Sequence, residues 1–363
     1  MKKYGRLKNS VYVTAALLLA ALAFVSVFER VSLFARKNNI PLAAASLTLG
    51  KGNYKLPALK KKNKPEKAVK SKPAVSEKKE VKKETSSLPF PENYYNTFSN
   101  HNSMKKYPIY TKQYRVGGTK YDNFYVKNNT SYPLNIGETL KKKLGFKLSD
   151  SSDIQVLIYH THTSESFIDC DAGYYYSDYY PRTTDSRYNV IAVGDEIENE
   201  LKSAGIGVVH DKTSHDDTYT GSYLRSRATI EKYLKKYPKI KVTLDIHRDS
   251  IGTDTYKIKP TFKYKGKKGA QIMILSGYDP NGYFNFPNWN YNLRFALKLQ
   301  KECETKFRGM TRPLDFGNFA YNMNINTGSL LIEVGADGNT LDEAKYSGKL
   351  LGKALTQVLQ NSD

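Results

Sequence analysis

The fold is decided by the stretch Val156-Leu157-Ile158-Tyr159-His160-Thr161-His162-Thr163-Ser164-Glu165-Ser166-Phe167, an apolar strand that runs directly into two histidines and a glutamate. Imidazole and carboxylate donors together suit Zn²⁺, and a catalytic zinc needs three protein ligands and one open position for water. The stretch therefore predicts a metal site at the end of a buried strand. The alternative, from these residues alone, is a pair of exposed loop histidines.

Downstream of this strand, short apolar segments alternate with segments of helical periodicity. Val190, Val193, Ile197 and Leu201 recur at helical spacing, and Gly205 ends that helix. Strands joined by helices of this length indicate an α/β fold, a mostly parallel sheet with helices on both faces. Further strands are predicted at 206–210, 241–247, 270–276 and 329–334, and helices at 189–204, 219–237, 291–307 and 341–359.

Two more ionisable residues end apolar strands of this predicted sheet. They are His247 in Leu244-Asp245-Ile246-His247 and Glu333 in Leu330-Leu331-Ile332-Glu333. In an open parallel sheet, ligands bind outside the carboxyl ends of the strands. A charge at the edge of a buried strand costs free energy unless it is paired or bound to a metal. We therefore expect these residues to meet His160, His162 and Glu165 in one zinc site.

Two other histidine-based classes fit the sequence less well. A metal-dependent amidohydrolase barrel needs eight βα units, and only about four helices follow His160. A serine nucleophile would pair Ser164 with His247, but no Gly-x-Ser-x-Gly turn surrounds any serine.

The N-terminus predicts a membrane anchor. Residues 11–28 carry no charge and are long enough to cross the hydrocarbon core as a helix. The basic residues before them predict a cytoplasmic N-terminus. We expect residues 1–30 to be an uncleaved anchor, which places a single-pass protein in the cell membrane with its folded part extracytoplasmic. A cleaved signal peptide is the alternative.

Residues 31–107 are predicted to be a basic, disordered linker, because from about residue 51 they are rich in Lys, Pro, Ser and Glu and lack aliphatic periodicity. Residues 1–90 hold 20 Lys and Arg against 5 Glu, a net charge of +15 out of +22 for the whole chain. Since the basicity belongs mainly to the tail, no nucleic-acid partner is predicted. Cys170 and Cys303 are too few for a thiolate zinc site, and the sequence leaves their pairing open.

The folded part is predicted to begin at residue 108. Residues 108–150, with a strand at 123–128 and a short helix at 136–146, form a small packing unit without visible chemistry. Residues 151–363 then form the catalytic domain.

The chain resembles the stage II sporulation protein P family. The resemblance rests on Ile158–Phe167, on Gly205-Ile206-Gly207-Val208-Val209-His210-Asp211-Lys212, on Asp245-Ile246-His247-Arg248-Asp249 and on Leu331-Ile332-Glu333-Val334-Gly335. More distantly, the layout is similar to the zinc-dependent N-acetylmuramoyl-L-alanine amidases. The resemblance covers about residues 120–358 and includes the N-terminal tail.

This resemblance implies a peptidoglycan hydrolase that acts during sporulation engulfment, with stage II sporulation proteins D and M as partners. It implies Zn²⁺ bound by histidines and a glutamate, and it makes Glu333 the catalytic glutamate. Where the amidases have a glutamate ligand before the first helix, this chain has Asp185-Ser186-Arg187-Tyr188-Asn189. Glu165 is the nearest substitute, either as a ligand or as a catalytic acid.

The expected reaction is hydrolysis of the amide between N-acetylmuramic acid and L-alanine. Whether it extends to stem-peptide crosslinks is left open. Arg248, His210 and His215 are candidate substrate-binding residues, with an ion-pair role for Arg248 and ordinary loop positions for the two histidines as alternatives. A different class of function, a catalytically idle wall-binding scaffold that recruits other hydrolases, stays open at this point.

Overall fold

The structure is a computed structural model that describes residues 104–362. It contains thirteen strands and five α-helices within those residues. The helices are α1 (Ile136–Lys141), α2 (Val190–Ser203), α3 (Ser222–Lys236), α4 (Trp289–Lys306) and α5 (Leu341–Gln360). The strands are β1 (Lys106–Lys112), β2 (Thr119–Tyr121), β3 (Phe124–Asn128), β4 (Ile154–Tyr159), β5 (Tyr174–Tyr176), β6 (Gly207–His210), β7 (Val242–Asp249), β8 (Gly252–Thr253), β9 (Tyr256–Tyr264), β10 (Lys267–Ala270), β11 (Ile272–Gly277), β12 (Leu314–Gly317) and β13 (Ser329–Ala336).

The central sheet has eight strands in the order β2-β3-β12-β11-β13-β7-β4-β6. The strands β6, β4, β7 and β13 run parallel to one another, and so do β11, β12 and β3. The two blocks meet in an antiparallel pair, β11 with β13. The α/β prediction is therefore confirmed, but the sheet is mixed and the prediction of a mostly parallel sheet is wrong.

The antiparallel pairing of β11 with β13 follows from how the strands are connected. Parallel neighbours need a crossover of a dozen or more residues, usually a helix, and helices supply it from β4 to β6 and from β6 to β7. Between β7 and β11 there is no helix, because the chain builds the strands β8, β9 and β10 instead. These belong to a second sheet, in the order β10-β9-β1-β5, with β8 paired to β9.

Helices cover both faces of the central sheet, as predicted. The main core lies between one face and the helices α2, α4 and α5, and a smaller cluster that includes Leu157, Tyr159 and Ile230 packs α3 against the other face. Along β4, residues of the two clusters alternate, as the pleat of a strand requires.

Local signals place the helix ends close to their predicted positions. The side chain of Asn189 caps α2 by accepting from the backbone N–H of Ile191, and Gly205 follows its end with a φ of 80°. Thr340 and Glu343 form a capping box at the start of α5. The predicted helix at 136–146 is shorter, since it ends at Lys141.

The structure changes what was predicted for residues 31–150. The strand β1 begins at Lys106, inside the predicted linker. Of that linker the structure describes only residues 104–107. The segment 108–150 supplies β3 to the central sheet, and Phe124 and Ile136 lie in the main core. The predicted boundary at residue 150 therefore does not separate two cores.

The predicted membrane location does not hold for the part of the chain that the structure describes. No helix within residues 104–362 is long and apolar enough to cross a membrane. The two longest, α4 and α5, carry charged residues along their length. Residues 11–28, where the anchor was predicted, lie outside the described part. Cys170 and Cys303 do not form a disulfide with each other.

Candidate functional site

The pleat of the strands divides the predicted site residues between the two faces of the central sheet. On β4, β7 and β13, side chains that pack with α2, α4 and α5 alternate with side chains on the α3 side. By this alternation, the side chain of His160 lies on the α2 side of the sheet, whereas those of His247 and Glu333 lie on the α3 side. The five predicted residues therefore do not form one cluster, and the prediction that His160 shares a ligand shell with His247 is not supported by this geometry.

On the α2 side, His160 pairs with His210 from the neighbouring strand β6. Their Nε2 atoms are 2.8 Å apart, and His160 Nδ1 donates to the carbonyl of Ile246 at 2.8 Å. Burial first, and then the adjacent His210, lower the pKa of His160 to about 3. A neutral His160 therefore accepts the hydrogen bond that His210 donates.

His210 is held from its other side by two carboxylates of α2. Its Nδ1 lies 3.1 Å from Asp195 Oδ1 and 3.3 Å from Glu198 Oε2. Within residues 104–362, these three side chains form the only group of three or more potential ligands whose donor atoms lie within 4.8 Å of one another. However, lysines at 2.6 Å already pair with both carboxylates, Lys212 with Asp195 and Lys202 with Glu198. Their charge is therefore balanced without a metal.

On the α3 side, His162, His247 and Glu165 come together. The rings of His162 and His247 lie perpendicular with centroids 5.3 Å apart, and Glu165 Oε2 lies 3.5 Å from His247 Nδ1. Asp245 lies beside this cluster, 2.8 Å from His247 Nε2. Its carboxylate accepts hydrogen bonds from the backbone N–H and the hydroxyl of Thr161. All four ionisable side chains are buried.

The charges in this cluster set the protonation of its members. Burial lowers the pKa of His162 to about 4, so its ring is neutral near pH 7. Burial also opposes charge on His247, but the carboxylates of Asp245 and Glu165 raise its pKa well above the usual value. For Glu165, burial is outweighed by the charge of Arg248 and by the contact with His247, and its pKa is lowered.

Glu333 lies beside His247 on the adjacent strand, where the two residues are register partners of β13 and β7. It is half-buried, and its Oε2 is a buried atom without a hydrogen-bond partner. Burial, and then the nearby carboxylate of Asp249, raise the pKa of Glu333 to about 8. Glu333 and Glu165 therefore differ in protonation near neutral pH although both border His247.

The contacts of Arg248 and His215 favour structural roles over substrate binding. Arg248 is buried, and its guanidinium donates to the carbonyls of Ser166 and Pro181 at 3.1 and 2.8 Å. His215 is buried with Nδ1 donating to the carbonyl of His160 at 2.8 Å and Nε2 2.9 Å from the hydroxyl of Thr229. Neither side chain is free to contact a substrate in this arrangement.

Sequence reasoning gave no role to several side chains around the cluster. Tyr219 stacks on His162 with ring centroids 4.6 Å apart, and Tyr223 lies nearly parallel to His247 at 6.5 Å. Arg182 pairs with Asp216 at 2.7 Å and approaches Glu165 to 3.8 Å. Only Asp245 left a signal in the sequence, a lone carboxylate inside an apolar strand. Tyr219 and Tyr223 fall within the predicted helix at 219–237, but nothing in that pattern indicated a contact with the histidines. Arg182 and Asp216 come from irregular segments whose position no periodicity predicts.

By ligand type, the α3-side cluster suits a zinc ion better than the α2-side cluster does, although its donor atoms do not all lie within 4.8 Å of one another. Two imidazoles and one carboxylate are a ligand set of catalytic zinc sites. His162 Nδ1 is buried without a hydrogen-bond partner, a state that costs free energy unless the atom finds a ligand. Asp245 beside His247 is the kind of carboxylate that orients a metal-binding imidazole.

The fold and the cluster define an α/β protein with a histidine–carboxylate centre at the carboxyl edge of parallel strands. The chain belongs to the stage II sporulation protein P family, whose family model matches residues 35–356. It is 28% identical over 222 residues to stage II sporulation protein P of Bacillus subtilis strain 168. That match covers 57% of this chain and spans about half, 52%, of the relative's length.

Solved amidases show a weak structural likeness. The amidase AmiC2 of Nostoc punctiforme is 12% identical with a TM-score of 0.34, and the match covers 59% of this chain and 97% of that one. The CwlD amidase of Clostridioides difficile, solved in complex with the GerS lipoprotein, is 12% identical with a TM-score of 0.35 and coverages of 57% and 98%. The catalytic domain of CwlV from Bacillus (Paenibacillus) polymyxa is 15% identical with a TM-score of 0.34 and coverages of 57% and 98%. Scores this low do not bear on the chemistry of the site.

Proposed function

We propose that the protein is a zinc-dependent peptidoglycan hydrolase that cleaves the N-acetylmuramoyl-L-alanine amide during sporulation engulfment, together with stage II sporulation proteins D and M. Membership of the stage II sporulation protein P family supports the setting. The observation that carries the chemistry is the register pairing of Glu333 with His247, beside the buried His162 and Glu165.

His162, His247 and Glu165 would hold the zinc. When bound, the ion would polarise the scissile carbonyl and lower the pKa of a bound water. Asp245 holds the imidazole of His247 in place. His160 is not in this set, because its two nitrogens are engaged by Ile246 and His210.

Glu333 is the residue that handles the proton. With its pKa raised to about 8, its carboxyl is suited to exchange a proton near neutral pH. In its ionised form Glu333 takes a proton from the water that attacks the carbonyl carbon, and it delivers that proton to the amine nitrogen as the C–N bond breaks. Tyr219 and Tyr223 form an aromatic wall that shields the two histidines from bulk water.

The test is mass spectrometry of purified peptidoglycan incubated with the protein, with the metal content measured in parallel. We expect new muramic acid ends and free L-alanine amino groups in the digest. His247→Ala removes a ligand and should abolish both cleavage and zinc retention.

His215→Ala is the matched control, because His215 is equally buried but faces Thr229 and the carbonyl of His160. We expect it to keep its zinc and to lose roughly 1–3 kcal/mol of stability, since it leaves buried polar partners unpaired. Equal zinc content in wild type and His247→Ala, or zinc-loaded protein that yields no cleavage products, would contradict the proposal.

A further inference from the structure

A cationic cavity lies near the candidate site at the edge of the central sheet. It has a volume of about 280 Å³ and lies among the β2–β3 hairpin, the end of α4 and the start of β12. The basic residues that line it are Arg115, Lys120, Arg308 and Arg312.

Two acidic residues, Asp122 and Glu304, line the cavity beside the four basic ones. Among residues 104–362, no ion pair joins a carboxylate to Arg115, Lys120 or Arg308 within 4.0 Å, and all three are exposed. Glu304 also lines the cavity, but its carboxylate accepts from the backbone N–H groups of Gly309 and Thr311 at 2.8 and 2.6 Å. An anion that enters the cavity therefore meets the guanidinium groups of Arg115 and Arg308, which are not held in these ion pairs.

Arg312 is the buried element of this cavity. It is 7% exposed, and its Nη1 donates to Asp249 at 2.8 Å. Its Nε and Nη2 are buried without any hydrogen-bond partner. Native proteins rarely leave such donors unpaired, and a charged donor is the most costly kind to leave so. This is a second, independent indication that the cavity is built to receive an acceptor.

The cavity is connected to the candidate site through a single ion pair. Asp249, the partner of Arg312, ends β7 two residues after His247. The reversed block of strands makes this possible, because β3 and β12 start at the edge where β7 and β13 end.

We infer that this cavity is a subsite for a carboxylate of the stem peptide on the substrate strand, an inference that rests on the proposed function. Guanidinium groups bind carboxylates through paired hydrogen bonds. Val116, Phe124 and Pro313 give the cavity an apolar wall, which suits the carbon chain of a peptide better than a bare inorganic anion.

The test is calorimetric binding of a muramyl tripeptide with free carboxylates to the full chain, beside the same compound with its carboxylates amidated and beside inorganic phosphate. The variant is Arg115→Gln with Arg308→Gln. Both residues are exposed, and Arg312 stays intact to protect the fold. Lys353→Gln removes an exposed charge from a separate cavity beside α5 and is the control.

We expect the double variant to bind the free tripeptide roughly 10- to 100-fold more weakly than wild type, as the loss of one or two charge-assisted hydrogen bonds predicts. Lys353→Gln should bind like wild type, and amidation should remove the difference between wild type and the double variant. An equal loss for the amidated compound, no loss at all, or phosphate binding without tripeptide binding would overturn the inference.

Binding and cleavage fail independently in this design. If the wild type does not cleave peptidoglycan but its tripeptide binding still depends on Arg115 and Arg308, the proposed function fails and the subsite stands. If cleavage occurs while binding ignores the two arginines, only the subsite fails.

Discussion

Glu333 and Glu165 are both glutamates beside His247, yet their surroundings shift their pKa values in opposite directions. Burial and the carboxylate of Asp249 raise the pKa of Glu333, whereas Arg248 and His247 outweigh burial and lower that of Glu165. Pairs of carboxyls separated in this way are typical of sites where one carries a proton and the other stays ionised. The pattern favours proton transfer for Glu333 and a ligand role for Glu165.

Glu333→Gln keeps the shape of the side chain and removes its basicity. We expect it to retain zinc and to lose roughly 10²–10⁴-fold in turnover, the usual scale for general acid–base catalysis. Glu165→Gln should instead weaken zinc retention, because a neutral amide is a poorer ligand than a carboxylate. Turnover and metal content of both variants are the measurements. If Glu333→Gln lost zinc while Glu165→Gln kept it, the two roles would be exchanged.

A buried lysine away from the site offers a pH-dependent test of stability. Lys259 is 2% exposed, and its Nζ lies 2.5 Å from Asp171 and 3.0 Å from Glu343. For Asp171, burial is outweighed by hydrogen bonds from Lys259 and Lys268, so its pKa lies below the ordinary value of 3.8. A lowered pKa in the folded state stabilises the protein above the unfolded value, and this contribution is lost as the pH falls through the folded value.

Asp171→Asn should therefore destabilise the protein at pH 7 by about 0.2–1 kcal/mol, the range for partly exposed ion pairs. The difference from wild type should shrink between pH 5 and pH 3. Urea unfolding at several pH values measures it. A difference that grows as the pH falls would mean that the sign of the shift is wrong.

The helix α2 is the element that brings the α2-side cluster together, and a glycine in its middle makes the approach possible. A Cβ added at Gly194 would lie 2.6 Å from the ring of His210 and 3.0 Å from His160 Nε2. The position therefore needs glycine for close contact, although glycine costs about 1 kcal/mol relative to alanine inside a helix.

We expect Gly194→Ala to destabilise the protein by about 1–3 kcal/mol, the cost of overpacking a tight core, despite the better helix propensity. Ser203→Ala in the same helix lies in an exposed position and should change stability by no more than about 0.5 kcal/mol. Denaturant unfolding of the two variants compares them directly. A stabilised Gly194→Ala would show that α2 can move away from the two histidines.

The elements that could be predicted are those with a strong local signal. All four long helices and the block β4, β6, β7 and β13 follow the predicted periodicity. The reversal of β11 could not be predicted, because the choice of neighbour depends on contacts far apart in sequence. The strand β1 was missed because six of its seven side chains are not buried, so it lacks an apolar alternation.

In the site, the edge that gathers His247 and Glu333 was predicted, but the face on which His160 lies depends on how the strands align.

At the scale of the whole molecule, β1 is the strand on which the second sheet depends. It pairs with β9 on one side and with β5 on the other. A fragment that starts at residue 104 should therefore fold, whereas a fragment that starts at residue 113 leaves β5 without its sheet partner and exposes one edge of β9. We expect the shorter fragment to lose on the order of several kcal/mol, since each lost backbone hydrogen bond contributes about 0.5–1.5 kcal/mol. Equal thermal midpoints for the two fragments would contradict this.

The position of β13 between β7 and β11 has a consequence for the order in which the protein acquires its structure during synthesis. Strands of both blocks leave the ribosome earlier, but they cannot join until residues 329–336 arrive to fill the gap between them. Until then, β7 and β11 each present an open strand edge, the kind of surface on which unfinished chains aggregate. The same late strand carries Glu333, so the residue proposed for proton transfer joins the fold only when the sheet is closed.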